Sequence, residues 1–174
     1  MKRHLYLVRH ADSTWSEEIG NDFQRIVTEE GERNATEMGR RLKEKKVKPD
    51  LIMTSPALRA KKTAEIIASE LGVKKGVIDE YQRIYEATTR ILLEVINFAP
   101  DDVKNLMLVG HNPAISRIVE YLTNETLENI PPAGVVSMTF EVERWPYVAM
   151  GAGEYNWFDY PHNSIHSNEQ TFMK

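Results

Sequence analysis

The sequence predicts a three-layer α/β/α sandwich whose sheet is mainly parallel with an antiparallel edge. Two observations carry that expectation. Short apolar runs at 5–8, 51–54 and 105–110 alternate with segments whose apolar residues recur every three or four positions, the pattern of strands joined by helices that cross back over a parallel sheet. After residue 134, Val136, Met138, Phe140 and Val142 alternate with Ser137, Thr139, Glu141 and Glu143, a period of two that marks an added antiparallel strand with one face wet.

Each element follows from local chemistry. The first strand is the apolar run ending at Arg9-His10, where Ala11-Asp12-Ser13 turns the chain away. Residues 15–25 have no period and contain Gly20-Asn21-Asp22, so they read as a loop long enough to fold over a site. Thr28 caps a helix that runs to about Lys45, with Glu29 and Glu30 in its first turn and Ala35, Met38 and Leu42 on its inner face. The basic run 43–48 is the solvated end of that helix.

After the strand at 51–54, Ser55 is expected to cap a helix with Pro56 at its first position. Ala60, Ala64, Ile67, Ala68 and Leu71 form its stripe, and Gly72 stops it. A short strand is expected at 77–79, then an irregular segment, 81–87, carrying Arg83 and Glu86. Thr88 caps a helix to Phe98. After the strand at 105–110, Asn112 caps and Pro113 opens a helix with Ile115, Ile118, Val119 and Leu122 inward. Residues 151–154 turn into an edge strand at 155–158, where Trp157 and Phe158, like Trp145, serve as core or edge cover.

The 174 residues fit one domain, assigned to 1–160, with 161–174 expected to be a mobile polar tail. There is no cysteine, which excludes disulfides, thiolate nucleophiles and sulfur-ligated zinc. A net charge of -4 with acids and bases interspersed argues against a nucleic-acid face or a polybasic membrane patch. The apolar run after Lys2-Arg3 is broken by Arg9 and is too short for a signal sequence, so a cytoplasmic protein is expected. His162 and His166 lie in a segment without helical period and are not read as a metal pair; no metal or cofactor is expected.

Ligands of open α/β sheets bind beyond the carboxyl ends of the strands, and Arg9, His10, Arg59 and His111 are all expected there. Two histidines and two arginines make an anion site, and phosphate is the natural occupant. Arginine offers a rigid fork of donors that matches it, and a helix N-terminus after His111 adds N–H groups.

Three segments carry a resemblance: Arg9-His10-Ala11 with Ser13, Ser55-Pro56 with Arg59 and Thr63, and Gly110-His111-Asn112-Pro113. They resemble the histidine phosphatase superfamily, whose fold is shared with the phosphoglycerate mutases. Ile26-Val27-Thr28, Gly31, Met38-Gly39 and Tyr85-Glu86-Ala87 make the chain most similar to the small phosphohistidine phosphatases of the SixA type, with the match covering about residues 3–145. The resemblance implies a metal-independent phosphatase in which neutral His10 attacks phosphorus and forms a phosphohistidine. Arg9, Arg59 and His111 would hold the phosphoryl oxygens, with Ser13 and Asn112 as further hydrogen-bonding candidates.

Glu86 is the candidate general acid by family position, with Asp12 and Asp22 as alternatives. The family's usual glycine after the histidine is Ala11 here, a departure that matters only if the position needs positive φ. The implied partner is a phosphorylated substrate, either a phosphohistidine protein or a small phosphoester. A non-catalytic phospho-ligand-binding module of the same fold is the alternative, and a mutase would need extra segments that this length lacks. Substrate identity and oligomeric state are not legible.

Overall fold

The computed structural model describes residues 1–15 and 20–163. Six strands form one sheet: β1 (Lys2–Arg9), β2 (Leu51–Thr54), β3 (Ile78–Glu80), β4 (Asn105–Gly110), β5 (Val135–Glu141) and β6 (Glu154–Asp159). Their order across the sheet is β3-β2-β4-β1-β5-β6. The first four run parallel, and β5 is antiparallel to both β1 and β6. The helices are α1 (Glu29–Glu44), α2 (Leu58–Leu71), α3 (Thr89–Asn97) and α4 (Ala114–Thr123). This is the phosphoglycerate mutase-like α/β sandwich.

The sheet divides the core in two. Leu5, Leu7, Met53, Leu106 and Leu108 pack with α3 and α4, while Tyr6, Val8, Ile52, Met107 and Val109 pack with α1 and α2. Alternate residues of one strand thus serve opposite layers, which is why these strands read as unbroken apolar runs. Thr28 Oγ1 accepts from Gly31 N–H at 2.9 Å and caps α1. Gly31 is needed there because a side chain would collide with the Asp12 carbonyl oxygen, where the loop after β1 crosses the helix. Gly72 ends α2 at φ +72.

Three expectations are corrected. Ser55 does not cap α2, which starts at Leu58 after an N-cap at Ala57 with no side-chain bond. The Ser55 hydroxyl lies 2.7 Å from His111 Nε2 instead. The N-cap of α4 is Pro113, and Asn112 acts from one residue further out, its Oδ1 accepting from Ser116 N–H at 3.1 Å. The strand expected to have one wet face is covered on both: Ser137 and Thr139 are 2% and 6% exposed. Strand β5 is an inner strand, with Ser137 between Tyr6 of β1 and Trp157 of β6.

At the C-terminal end, residues 161–163 are held rather than loose. Arg41 on α1 donates to Asp159 Oδ1 and to the Tyr160 carbonyl, both at 3.1 Å, and Asn163 donates to Asp159 Oδ1 at 3.1 Å. The rest of the expected tail, 164–174, lies outside the described residues, as do His166 and part of the 15–25 loop. Among the described residues no helix is long and apolar enough to cross a membrane.

Candidate active site

The strand order β2-β4-β1 brings three segments distant in sequence to adjacent strand ends. Val109 of β4 is paired with Val8 on one side and with Thr54 on the other. His10, Ser55 and His111 therefore leave the sheet side by side.

The chain bends as soon as β1 ends. His10 N–H donates to the Gly110 carbonyl at 3.0 Å, and Ala133 N–H donates to the carbonyls of Arg9 at 3.0 Å and His10 at 3.1 Å. This bend lets two consecutive side chains serve one site. Ala11 N–H then donates to Thr63 Oγ1 on α2 at 2.9 Å. Ala11 is fully buried and is not among the positive-φ residues, so alanine serves where the family usually has glycine.

The Ala11 carbonyl lies 2.8 Å from His10 Nδ1. A carbonyl can only accept, so Nδ1 carries the proton and Nε2 keeps its lone pair. Burial pushes the His10 pKa down to about 4; the Ala11 hydrogen bond opposes this, and the charges of Arg59, Arg9 and Arg25 reinforce it. At neutral pH the His10 imidazole is uncharged.

His111 stands beside it, with ring centroids 5.2 Å apart. Ser55 Oγ accepts from Ala57 N–H at 3.2 Å, which leaves the hydroxyl proton for His111 Nε2, 2.7 Å away. The His111 proton then sits on Nδ1, which is buried without a partner among the described residues. Burial first, then His10 and Arg59, lower the His111 pKa to about 3.

The cationic side is built by three arginines. Arg9 donates to the Ile130 carbonyl at 2.8 Å. Arg59, 5% exposed in the first turn of α2, donates from Nη1 to the Asp22 carbonyl at 2.6 Å and from Nη2 to Asp22 Oδ2 at 2.8 Å. Arg25 donates to Thr14 O at 2.8 Å, Ser13 Oγ at 2.7 Å and Asp22 Oδ1 at 3.0 Å, and lies over the Trp15 ring. Tyr85 donates its hydroxyl to Asp22 Oδ2 at 2.8 Å and packs edge-on to both Phe23 and His111. Burial works against the Asp22 charge, but bonds from Tyr85, Arg59 and Arg25 outweigh it and hold the pKa at about 2. Arg9 Nε and Arg59 Nε, like His111 Nδ1, are buried donors without partners among the described residues. An oxyanion with several acceptor oxygens is the group that such donors fit.

The sequence-derived candidates sort unequally. Arg9, His10, Arg59 and His111 converge as expected. Ser13 supports Arg25 through its hydroxyl. Asn112 is engaged elsewhere: its amide donates to Asn129 Oδ1 at 2.6 Å and Ile130 O at 3.0 Å, the latter also holding Arg9. It positions the 129–130 loop rather than reaching an anion. Asp12 latches the loop to α1, its carboxylate accepting from Thr28 Oγ1 at 3.0 Å. Glu86 is exposed, on the rim of a cavity of about 290 Å³ shared with Gln82, Arg83, Tyr85 and Ile91. Arg25, Phe23 and the Tyr85 hydroxyl are site residues that sequence reasoning missed. Their segments have no period, and the signals were the Asp22–Arg25 charge pair and the place of Tyr85 in the Tyr85-Glu86-Ala87 motif.

A neutral imidazole set among guanidinium groups at the ends of three adjacent strands has the chemistry that an oxyanion would require, on a phosphoglycerate mutase-like fold. Comparison with known proteins narrows this. The sequence pattern of the histidine phosphatase superfamily (branch 1) matches residues 5–87. An uncharacterised protein of Picosynechococcus sp. is 32% identical over 140 residues, spanning 77% of this chain and 83% of the relative. The chain belongs to the histidine phosphatase superfamily. Among solved structures, one assigned to the phosphohistidine phosphatase SixA of Agrobacterium tumefaciens superposes with a TM-score of 0.75 at 24% identity, over 91% of this chain and 98% of that one. The protein histidine phosphatase SixA complexed with tungstate gives 0.75 at 22%, over 91% and 97%. At these identities the likeness is one of fold.

Proposed function

We propose that the protein is a metal-independent phosphatase that works through a phosphohistidine at His10, acting on protein phosphohistidine or a small phosphomonoester. The observation that carries the reading is the His10 tautomer: Nδ1 is committed to the Ala11 carbonyl, which leaves the Nε2 lone pair for attack. Nε2 attacks phosphorus in line, and the bond to the leaving group breaks with its electron pair. Water then displaces Nε2 and releases phosphate, so one difficult displacement becomes two. Arg9, Arg59 and the Nδ1 proton of His111 stabilise the equatorial oxygens as charge develops on them.

The leaving group favours the phosphohistidine alternative. An alkoxide needs a proton as it departs, whereas imidazole, with a conjugate-acid pKa of about 6.5, leaves without strong help. Glu86 is exposed and outside the hydrogen-bonded cluster, which fits a substrate that demands little acid assistance. A protein of the same fold binds tungstate, itself an oxyanion, which supports an oxyanion as the ligand here. The test is single-turnover reaction with a phosphohistidine protein and with an aryl phosphate, chelator present. The expected result is a phosphoenzyme, trapped in base, that His10→Ala abolishes. Undiminished turnover by that variant refutes the nucleophile, and phosphate binding without any phosphoenzyme supports a binding module instead.

A further inference from the structure

Arg59, read above as a phosphoryl ligand, is already engaged by an anion of the chain itself. Among the described residues, every hydrogen bond of the Arg59 guanidinium goes to Asp22, through its carbonyl and its Oδ2. The carboxylate also takes the Tyr85 hydroxyl on Oδ2 and Arg25 on Oδ1, so three donor side chains from three segments converge on one acidic group. The Asp22 side chain is 41% exposed while that of Arg59 is 6% exposed. The carboxylate thus lies on the solvent side of a buried guanidinium and covers it.

We propose that Asp22 is an internal stand-in for the phosphoryl group, and that substrate binds by displacing its carboxylate from Arg59 and Tyr85. This rests on the reading of Arg59 as a phosphoryl ligand. Because that arginine is nearly buried, an incoming phosphoryl group gains its two Nη donors only when Asp22 gives them up. Arg25 does not depend on the carboxylate for its place: Thr14 O, Ser13 Oγ and the Trp15 ring hold it independently. It stays as the exchange occurs and remains a partner for either anion. The exchange replaces a singly charged acceptor with a dianion that has more oxygens, so the phosphoryl group wins while weaker anions such as chloride or a carboxylate metabolite do not. Asp22 therefore sets a threshold that selects dianionic oxyanions.

The test is equilibrium binding of inorganic phosphate, followed by Trp15 fluorescence and by calorimetry, in wild type, Asp22→Asn, Asp22→Ala and Asp12→Asn. Asp12 is a matched control: it bears the same charge near Arg9 but touches neither Arg59 nor Tyr85. The expected result is phosphate binding about tenfold tighter in both Asp22 variants, with Asp12→Asn changing it about twofold or less. Acetate binding should appear in Asp22→Ala and be absent in wild type. Equal or weaker phosphate binding in both Asp22 variants overturns the stand-in, as does an equal gain in Asp12→Asn, which would reflect net charge alone. Phosphate binding that survives Arg59→Ala in wild type and variants alike would remove the site reading beneath it. If wild type binds no phosphate but Asp22→Ala does, the carboxylate blocks the site instead of yielding to phosphate, which overturns displacement.

Discussion

Thr63→Val offers a sharp test of how His10, the proposed nucleophile, is aimed. Thr63 is fully buried, and its Oγ1 accepts from Ala11 N–H at 2.9 Å and donates to the Arg59 carbonyl at 2.7 Å. Valine keeps the shape and removes the hydroxyl. The Arg59 carbonyl loses only a supplementary donor, but Ala11 N–H is left buried and unpaired, at a cost of about 1–3 kcal/mol. For a chain of this size each kcal/mol moves the melting point by about 2–4 °C, so a mid-range loss of ~2 kcal/mol lowers it by about 4–8 °C. Ala11 is also the residue whose carbonyl sets the His10 tautomer. Its displacement should lower kcat by about tenfold or more, with KM less affected. Thr63→Ser separates the two effects: it loses a methyl, worth roughly 1 kcal/mol, but keeps the hydroxyl and should keep kcat. Scanning calorimetry and steady-state kinetics decide. A Thr63→Val protein with both melting point and kcat unchanged, or a Thr63→Ser protein as impaired in kcat as the valine variant, would refute the reasoning.

Other outcomes follow from the same geometry. The pKa values of His10 and His111 are held at about 4 and about 3, below the ordinary 6.5, so between those limits the unfolded chain binds protons that the folded protein refuses. Stability should be full above pH 6.5 and fall by a few kcal/mol as the pH drops toward 4, as urea titrations across that range would show, and His10→Gln should flatten the slope. Ser55→Ala removes the donor that fixes the His111 tautomer and should cost about tenfold in kcat, the worth of one ordinary hydrogen bond, measured against an unchanged pH optimum. Arg41→Met strands Asp159, which is 1% exposed, and should destabilise the fold by ~3 kcal/mol in denaturant titration without altering kcat. Glu86→Gln should change phosphohistidine turnover by about twofold or less, because the leaving imidazole needs little acid.

The elements themselves were legible because their determinants are local. Caps such as Thr28 and Thr88, the stop at Gly72 and the stripes of α1, α2 and α4 each depend on neighbours within a turn, and all appear where expected. The misplaced caps at Ser55 and Asn112 failed for a long-range reason. The Ser55 hydroxyl is drawn to His111, 56 residues away, and the Asn112 amide reaches Asn129 and Ile130 across the site. Likewise Ser137 and Thr139 read as solvent-facing because alternation alone cannot distinguish a strand with one wet face from an inner one covered on both, as β5 is between β1 and β6.

By itself, then, the sequence determined the layers, the strand ends and the residue types delivered there: Arg9 with His10, Arg59, and His111. Only the tertiary structure decided that β4 lies between β1 and β2, which makes those ends a single site. It also decided that Asp22, Arg25 and Tyr85 belong to it, and that both histidines are neutral. Periodicity and capping are recorded over a few residues, whereas strand order, desolvation and the meeting of a loop carboxylate with a buried guanidinium exist only once distant segments have packed together.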